Sequence, residues 1–257
     1  MQQSNTYVIV YSAVLTIILG LLLSGSAQIL GPRQQEAIAL DKKKQILGAV
    51  INPEEIAAMK ADQVNEIYSK SISSIVVDIN GKEVTDGGLS AEKVDVAKDY
   101  KKPADQRSYP VFIYHTEGNP SDVKSYILPL YGAGLWDAIW GYIALETDMN
   151  TIAGITLAHA GETPGLGARI TEADVQARFV GKKIFDDAGT LVAVQMMKGE
   201  GKDYSSDDHK VDGMSGATIT GNGVNNMLKA YLGNYEAYIK GKSSQSPPSQ
   251  RAPSLIL

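Results

Sequence analysis

The sequence predicts an N-terminal transmembrane helix followed by a single α+β domain, with a largely antiparallel sheet flanked by helices. Three observations carry that prediction. No charged side chain precedes Arg33, and residues 7–30 are mostly Val, Ile, Leu, Ala and Gly. Short β-rich runs separated by turn residues crowd the middle of the chain. A long amphipathic helical pattern follows them near the C-terminus. Strands grouped together, with helices at the ends and one inserted, give α+β rather than the strand–helix alternation of a parallel sheet.

Taken in order, residues 1–6 form a short tail and residues 7–30 the transmembrane helix. At about 1.5 Å per residue this stretch spans a bilayer core of roughly 30 Å. A cleaved signal peptide is the competing reading, since Ser24, Gly25, Ser26 and Ala27 are small residues of the kind found at cleavage sites. The residues before the apolar run carry no Lys or Arg, and the run exceeds a typical signal-peptide core, so an anchor is predicted. Residues 31–70 read as a helical juxtamembrane segment. One helix covers 35–47, continuing out of the membrane or breaking near Pro32. Another starts at Pro53, with Ile56, Met59, Val64 and Ile67 on one arc.

Residues 71–242 form the domain. A strand over 75–79 meets Asn80-Gly81 and then Lys82-Glu83-Val84, a strong short hairpin signal. Residues 86–106 are polar and read as a surface excursion. Strands are predicted over 111–115, 126–130, 139–145, 152–159, 183–185 and 191–196, with a short helix over 171–179. In the last helix Val224, Met227, Leu228, Tyr231, Tyr235, Tyr238 and Ile239 recur three to four apart, and Thr218, Thr220 or Asn222 can cap it. Residues 243–257, rich in Ser, Pro and Gln, read as a disordered tail.

Composition narrows the chemistry. The 257 residues carry 24 Lys and Arg against 29 Asp and Glu, a net charge of −5, and no cysteine. Beyond Lys42–Lys44 there is no basic tract, which argues against a nucleic-acid partner. His115, His159 and His209 are scattered, so no metal site is predicted. Gly213-Met214-Ser215-Gly216-Ala217 lacks the second Gly of a nucleophile elbow, and no P-loop or G-x-G-x-x-G is present.

Three turn segments remain. Residues 212–220 place the small Ser215, Gly216 and Ala217 before a helix N-terminus, where backbone N–H groups favour phosphate. Gly132-Ala133-Gly134-Leu135-Trp136 sets a large ring after flexible glycines, and Glu162-Thr163-Pro164-Gly165-Leu166-Gly167 combines a hydroxyl, a Pro-Gly turn and a projecting Leu. Together they suit a flat, phosphorylated ligand that needs apolar walls and a few placed polar groups. Taken singly, each also reads as an ordinary N-cap, tight turn or core aromatic.

In combination, Gly134-Leu135-Trp136, the Glu162–Gly167 run and Asp212-x-x-Ser215-Gly216-Ala217-Thr218 resemble the family of C subunits of sodium-translocating NADH:quinone oxidoreductases, in order and approximate spacing. The anchor, Asp41 with the three lysines after it, and residues 148–154 fit as well, so the resemblance extends from about residue 7 to 240. It implies FMN joined through its phosphate to Thr218, the bond being made from FAD by a separate flavin transferase with a divalent metal. Asp212 would serve recognition by that enzyme, and Thr220 is the competing acceptor.

By the same resemblance Leu135, Trp136, Glu162, Thr163, Gly165 and Leu166, with Ser215, Gly216 and Ala217, line the isoalloxazine or phosphate. Lys198 is a further candidate. The redox centre is the flavin itself, with no catalytic acid or base among the side chains. The implied role is electron transfer within a multi-subunit complex that oxidises NADH, reduces ubiquinone and pumps Na+. With one membrane span and no intramembrane charge, this chain has nothing with which to conduct an ion itself. The NADH and quinone sites are expected on other subunits.

The resemblance also puts the soluble domain on the periplasmic side of the inner membrane. Arg33 and Lys42–Lys44 would by the positive-inside rule alone place it in the cytoplasm. The G subunit of Rnf-type ferredoxin:NAD oxidoreductases carries the same flavin motif and is the nearest alternative, although Trp136 and the full Glu162–Gly167 run favour the family first named. A membrane-anchored binding or assembly module without flavin is the alternative from another class.

Overall fold

The computed structural model describes residues 4–85 and 88–245. Helix α1 (Asn5–Gly48) carries the apolar stretch and runs through Pro32 without breaking. Its Leu21, Leu22, Leu23 and Ile29 are exposed. Thr16 and Ser26 return their hydroxyls to the carbonyls of Ser12 and Leu22, at 2.8 and 2.7 Å, so these polar groups are satisfied without water. The chain divides into two compact units, one ending at Lys42 and the other beginning at Lys43.

In the second unit the end of α1 buries Ile46 and Leu47. Asn52 then caps α2 (Pro53–Ala58) through the N–H of Glu54, and Pro sits at the first turn, where its missing N–H costs nothing. Met59 turns extended and separates α2 from α3 (Ala61–Ser71). Ile56 and Val64 are buried, whereas Met59 and Ile67 are half-buried, so the predicted arc is split between two short helices.

The sheet is a five-stranded antiparallel meander, β1 (Ile72–Val77), β2 (Tyr109–Thr116), β3 (Asn119–Ala133), β4 (Ala138–Glu146) and β5 (Ile152–His159), neighbours in space as in sequence. A short helix α4 (Val96–Asp99) lies between β1 and β2. After β5 come a 3-10 turn (Gly167–Thr171) and helix α5 (Ala173–Ala177), within the helix predicted over 171–179 but shorter. A two-residue pair, β6 (Gln195–Met196) with β7 (Lys210–Val211), is parallel. Helix α6 (Thr218–Gln245) packs on β3.

The core lies between that helix and the sheet. Leu128, Leu130, Ile139, Ile143 and Leu157 form one cluster with Val224, Met227, Leu228, Tyr231, Tyr235, Tyr238 and Ile239, so every residue of the predicted stripe is buried. Each fully buried large apolar side chain contributes about 1.5–3 kcal/mol, which makes this face the main attachment of α6. Tyr235 also donates to the carbonyl of Pro110 at 2.8 Å, satisfying its buried hydroxyl.

Several local expectations need correction. The Asn80-Gly81 turn forms, but it closes only the single bridge Val77–Glu83, because the Asp78 carboxylate takes the N–H groups of Asn80 and Lys82 at 2.9 Å each. The strands predicted over 183–185 and 191–196 are reduced to isolated bridges and β6. Ala193 has φ of 58°, and the N–H groups of Val192 and Ala193 share the carbonyl of Ile184, which breaks the alternation. Helix α6 begins at Thr218 and its first helical bond is accepted by Ala217, so Thr218, Thr220 and Asn222 all lie inside it and none of them caps it. It continues to Gln245, past the start of the predicted tail; residues 246–257 lie outside the described residues, as do Asp86 and Gly87.

Candidate functional site

The three turn segments meet at one end of the sheet. The first is the β3–β4 turn, closed by the N–H of Gly134 on the carbonyl of Asp137 at 2.8 Å. The second follows β5, and the third is the N-terminus of α6. Their junction is the carboxylate of Glu162, which is buried. One oxygen accepts the N–H groups of Leu135 (2.7 Å) and Trp136 (3.2 Å), and the other accepts the hydroxyl of Thr220 at 2.6 Å. The N–H of Glu162 in turn donates to Nδ1 of His159, at 3.2 Å. A Cβ on Gly167 would overlap both the Glu162 carboxylate and the Thr220 hydroxyl, so only glycine lets the second segment approach this closely.

Apolar groups project outward from this anchored base. Trp136 is 70% exposed, with its indole N–H held by the hydroxyl of Thr163 at 3.2 Å. Leu135, Leu166 and Ile219 are also exposed, and the Leu166 side chain lies against Gly216. Thr163, Gly165, Ser215 and Gly216 are exposed as well, whereas Thr218 is half-buried and Ala217 buried. The helical ladder of α6 opens with the N–H of Gly221 on the carbonyl of Ala217 at 2.9 Å, so the first-turn N–H groups precede it.

Beside the third segment stands a charged cluster. Glu200 pairs in bidentate fashion with Arg169 (2.9 and 2.8 Å) and accepts the N–H of Ser215 at 3.1 Å. The Arg169 guanidinium first, and the Ser215 N–H next, hold the Glu200 carboxyl down at about 2. Arg178 donates to the carbonyl of Gly213 at 2.6 Å and to Asp174 at 2.9 Å. Asp212 accepts the N–H groups of Gly201 (2.7 Å) and Lys202 (3.2 Å). Lys198 is exposed, on the segment that abuts Gly213.

Of the residues singled out from sequence, Leu135, Trp136, Glu162, Thr163 and Leu166 are therefore drawn together with the start of α6. Glu162 sits beneath the surface with both oxygens engaged, as a link between loops. Asp212 bonds neighbouring backbone, and no contact among the described residues gives Lys198 a defined role. Arg169, Arg178 and Glu200 carry no local motif, and the partners that tie them to this site are distant in the chain, so the sequence does not mark them.

These residues fit FMN in kind. Exposed apolar groups around a pinned indole suit a planar ring system. A helix N-terminus preceded by small, exposed Ser215 and Gly216 suits its phosphate.

Comparison with known proteins agrees. Residues 134–233 match the FMN-binding domain family. The chain is 33% identical over 248 residues to a Pseudomonas aeruginosa protein named as the C subunit of Na(+)-translocating NADH-quinone reductase, covering 90% of this chain and 93% of that protein. It is 32% identical over 234 residues to the Yersinia pestis protein of the same name, covering 86% and 85%. The crystal structure of the corresponding Parabacteroides distasonis protein superposes with a TM-score of 0.68 at 36% identity, over 82% of this chain and 96% of that one. Shewanella oneidensis NqrC gives the same TM-score at 26% identity, over 81% and 99%. With the fold, the three converging segments and this similarity along most of its length, the chain belongs to the NqrC family, the C subunits of Na(+)-translocating NADH-quinone reductases.

Proposed function

We propose that this chain is an electron-transfer subunit of a Na+-translocating NADH:quinone reductase and carries FMN as a phosphoester of Thr218. The observation that carries the acceptor assignment concerns the rival hydroxyl. Thr220 is buried and donates to Glu162 at 2.6 Å, so its oxygen is committed inside the fold. Thr218 is half-buried in the first turn of α6, next to exposed Ser215 and Gly216.

The attachment balances as a transfer from FAD. The Thr218 oxygen attacks the phosphorus on the flavin side of the pyrophosphate, the bond to the AMP phosphate breaks, AMP leaves, and the hydroxyl proton is released. No electrons change hands in this step. Once bound, the flavin supplies one-electron transfer. The chain's residues position it: Glu162 ties the Trp136 turn to α6, Trp136, Leu135 and Leu166 offer apolar walls, and the α6 N-terminus favours the remaining phosphate charge.

The apolar part of α1 is, among the described residues, the one helix long and apolar enough to cross a bilayer. In this proposal it anchors the chain once in the inner membrane, beside the other subunits, with the soluble domain in the periplasm. Protease added to intact spheroplasts should then cut the large domain; its protection there would reverse the orientation.

The cofactor assignment is tested by expressing the full chain together with a flavin transferase. The denatured wild-type band should fluoresce under ultraviolet light, and Thr218→Ala should be dark. A fluorescent Thr218→Ala band would contradict the acceptor, and a dark wild type would favour a binding module without flavin.

A further inference from the structure

We infer that Glu200 and Arg178 are positioning residues for attachment of the flavin, holding the backbone of residues 212–215 so that Thr218 is presented to transferase-bound FAD. This rests on Thr218 being the acceptor.

The two segments involved grip each other reciprocally. Asp212 reaches across to the N–H groups of Gly201 and Lys202, and Glu200 reaches back to the N–H of Ser215. The N–H of Met197 donates to the carbonyl of Val211 at 3.0 Å, and a Cβ on Gly213 would overlap the carbonyls of Met197 and Gly199. Arg178 adds hydrogen bonds to the carbonyls of Gly213 (2.6 Å) and Asp212 (3.4 Å). Arg169 in turn fixes Glu200 from the other side through its paired bonds.

These charged side chains are partly covered at the surface. The side chains of Arg169, Arg178, Glu200 and Asp212 are 21, 19, 27 and 18% exposed. Ser215 itself is exposed, so its N–H has water available without Glu200. What the carboxylate adds at that point is direction.

Transfer of the flavin phosphate from FAD to a threonine, with AMP departing, requires the hydroxyl in line with the breaking bond. Misplacement of a reacting group by about 1 Å costs on the order of a hundredfold in rate. A cluster that sets the backbone three residues before Thr218 therefore acts on the rate of attachment through that backbone, without touching the reacting atoms.

The test uses the full chain purified in detergent without flavin, then incubated with purified transferase, FAD and Mg2+. The initial rate of labelling is read as in-gel fluorescence, well below each variant's unfolding midpoint. Glu200→Ala should be labelled about tenfold slower or worse, with the loss in kcat/KM for the protein substrate and none in the KM for FAD. Glu200→Gln keeps an acceptor for the Ser215 N–H and should recover most of the rate. Glu172→Ala removes only a bond to Arg169 and should be labelled normally. Hydrogen exchange at Ser215 should rise in Glu200→Ala and stay unchanged in Glu172→Ala. If Glu200→Ala does not fold, Arg178→Lys, whose single amine cannot hold the carbonyls of Asp212 and Gly213 and the carboxylates of Asp174 and Glu200 at once, should slow labelling likewise.

Normal labelling of a folded Glu200→Ala, or of Arg178→Lys in its place, overturns the inference alone, as does equal slowing in Glu172→Ala. A dark wild type or a fluorescent Thr218→Ala removes the acceptor reading and this inference with it.

Discussion

Replacing Glu162 with Ala removes the acceptor of three hydrogen bonds, from the N–H groups of Leu135 and Trp136 and the hydroxyl of Thr220. Each bond to a charged acceptor contributes about 1.5–3 kcal/mol. The full sum does not apply, because Leu135 and Trp136 are exposed and their N–H groups can turn to water. The Thr220 hydroxyl is buried and has no such recourse; an orphaned buried group costs about 1–3 kcal/mol. Adding a reduced share for the two N–H groups gives about 2–4 kcal/mol for Glu162→Ala. Glu162→Gln is milder. Its oxygen can keep the two N–H groups while its NH2 donates to the Thr220 oxygen, so about 0.5–1.5 kcal/mol is expected. Urea unfolding of the full chain in detergent, followed by tryptophan fluorescence, measures both. A loss below about 0.5 kcal/mol for Glu162→Ala, or equal losses for the two variants, would refute the view that this carboxylate ties the three loops together.

Other outcomes follow from the same geometry. Trp136→Ala removes a largely exposed ring with one hydrogen bond, so stability should change by no more than about 0.5 kcal/mol, while the visible circular dichroism of the attached flavin should change; an unaltered flavin spectrum would place the ring elsewhere. Gly167→Ala drives a methyl into Glu162 and Thr220 and should destabilise by about 1–3 kcal/mol, checked by thermal melting. The Glu200 carboxyl lies at about 2 in the folded chain against an ordinary 4.5, so its contribution is complete above 4.5 and is lost as pH falls toward 2. Glu200→Gln should flatten the acid limb of a midpoint-versus-pH curve in that window and leave the slope above it unchanged; an identical acid limb would exclude the pairing with Arg169.

Much of this was legible in the sequence where a period or a local motif carried it. The stripe from Val224 to Ile239 has helical spacing, and all of its residues are buried against the sheet. Four of the strands lie where alternation and turn residues put them. The predicted strand over 191–196 failed at Ala193, whose positive φ no residue preference announces. The three turn segments are visible as motifs, but what holds them together is not. Glu162 and Thr220 lie 58 residues apart, and Arg169 and Glu200 lie 31 apart. Such pairs leave no periodic trace, so the link that Glu162 makes between loops is visible only in the structure. For the same reason the sequence does not distinguish Thr220 from Thr218, whereas in the structure Thr220 is buried on Glu162 and Thr218 is half-buried.

The central claim is a flavin ester at Thr218, and peptide mapping by mass spectrometry tests it most directly. The full chain from cells that also contain a flavin transferase should gain the mass of one FMN less one water. Fragmentation should place that increment on Thr218, leaving Thr220 unmodified. An increment on Thr220 or on a peptide without either residue, or no increment at all, would contradict the account.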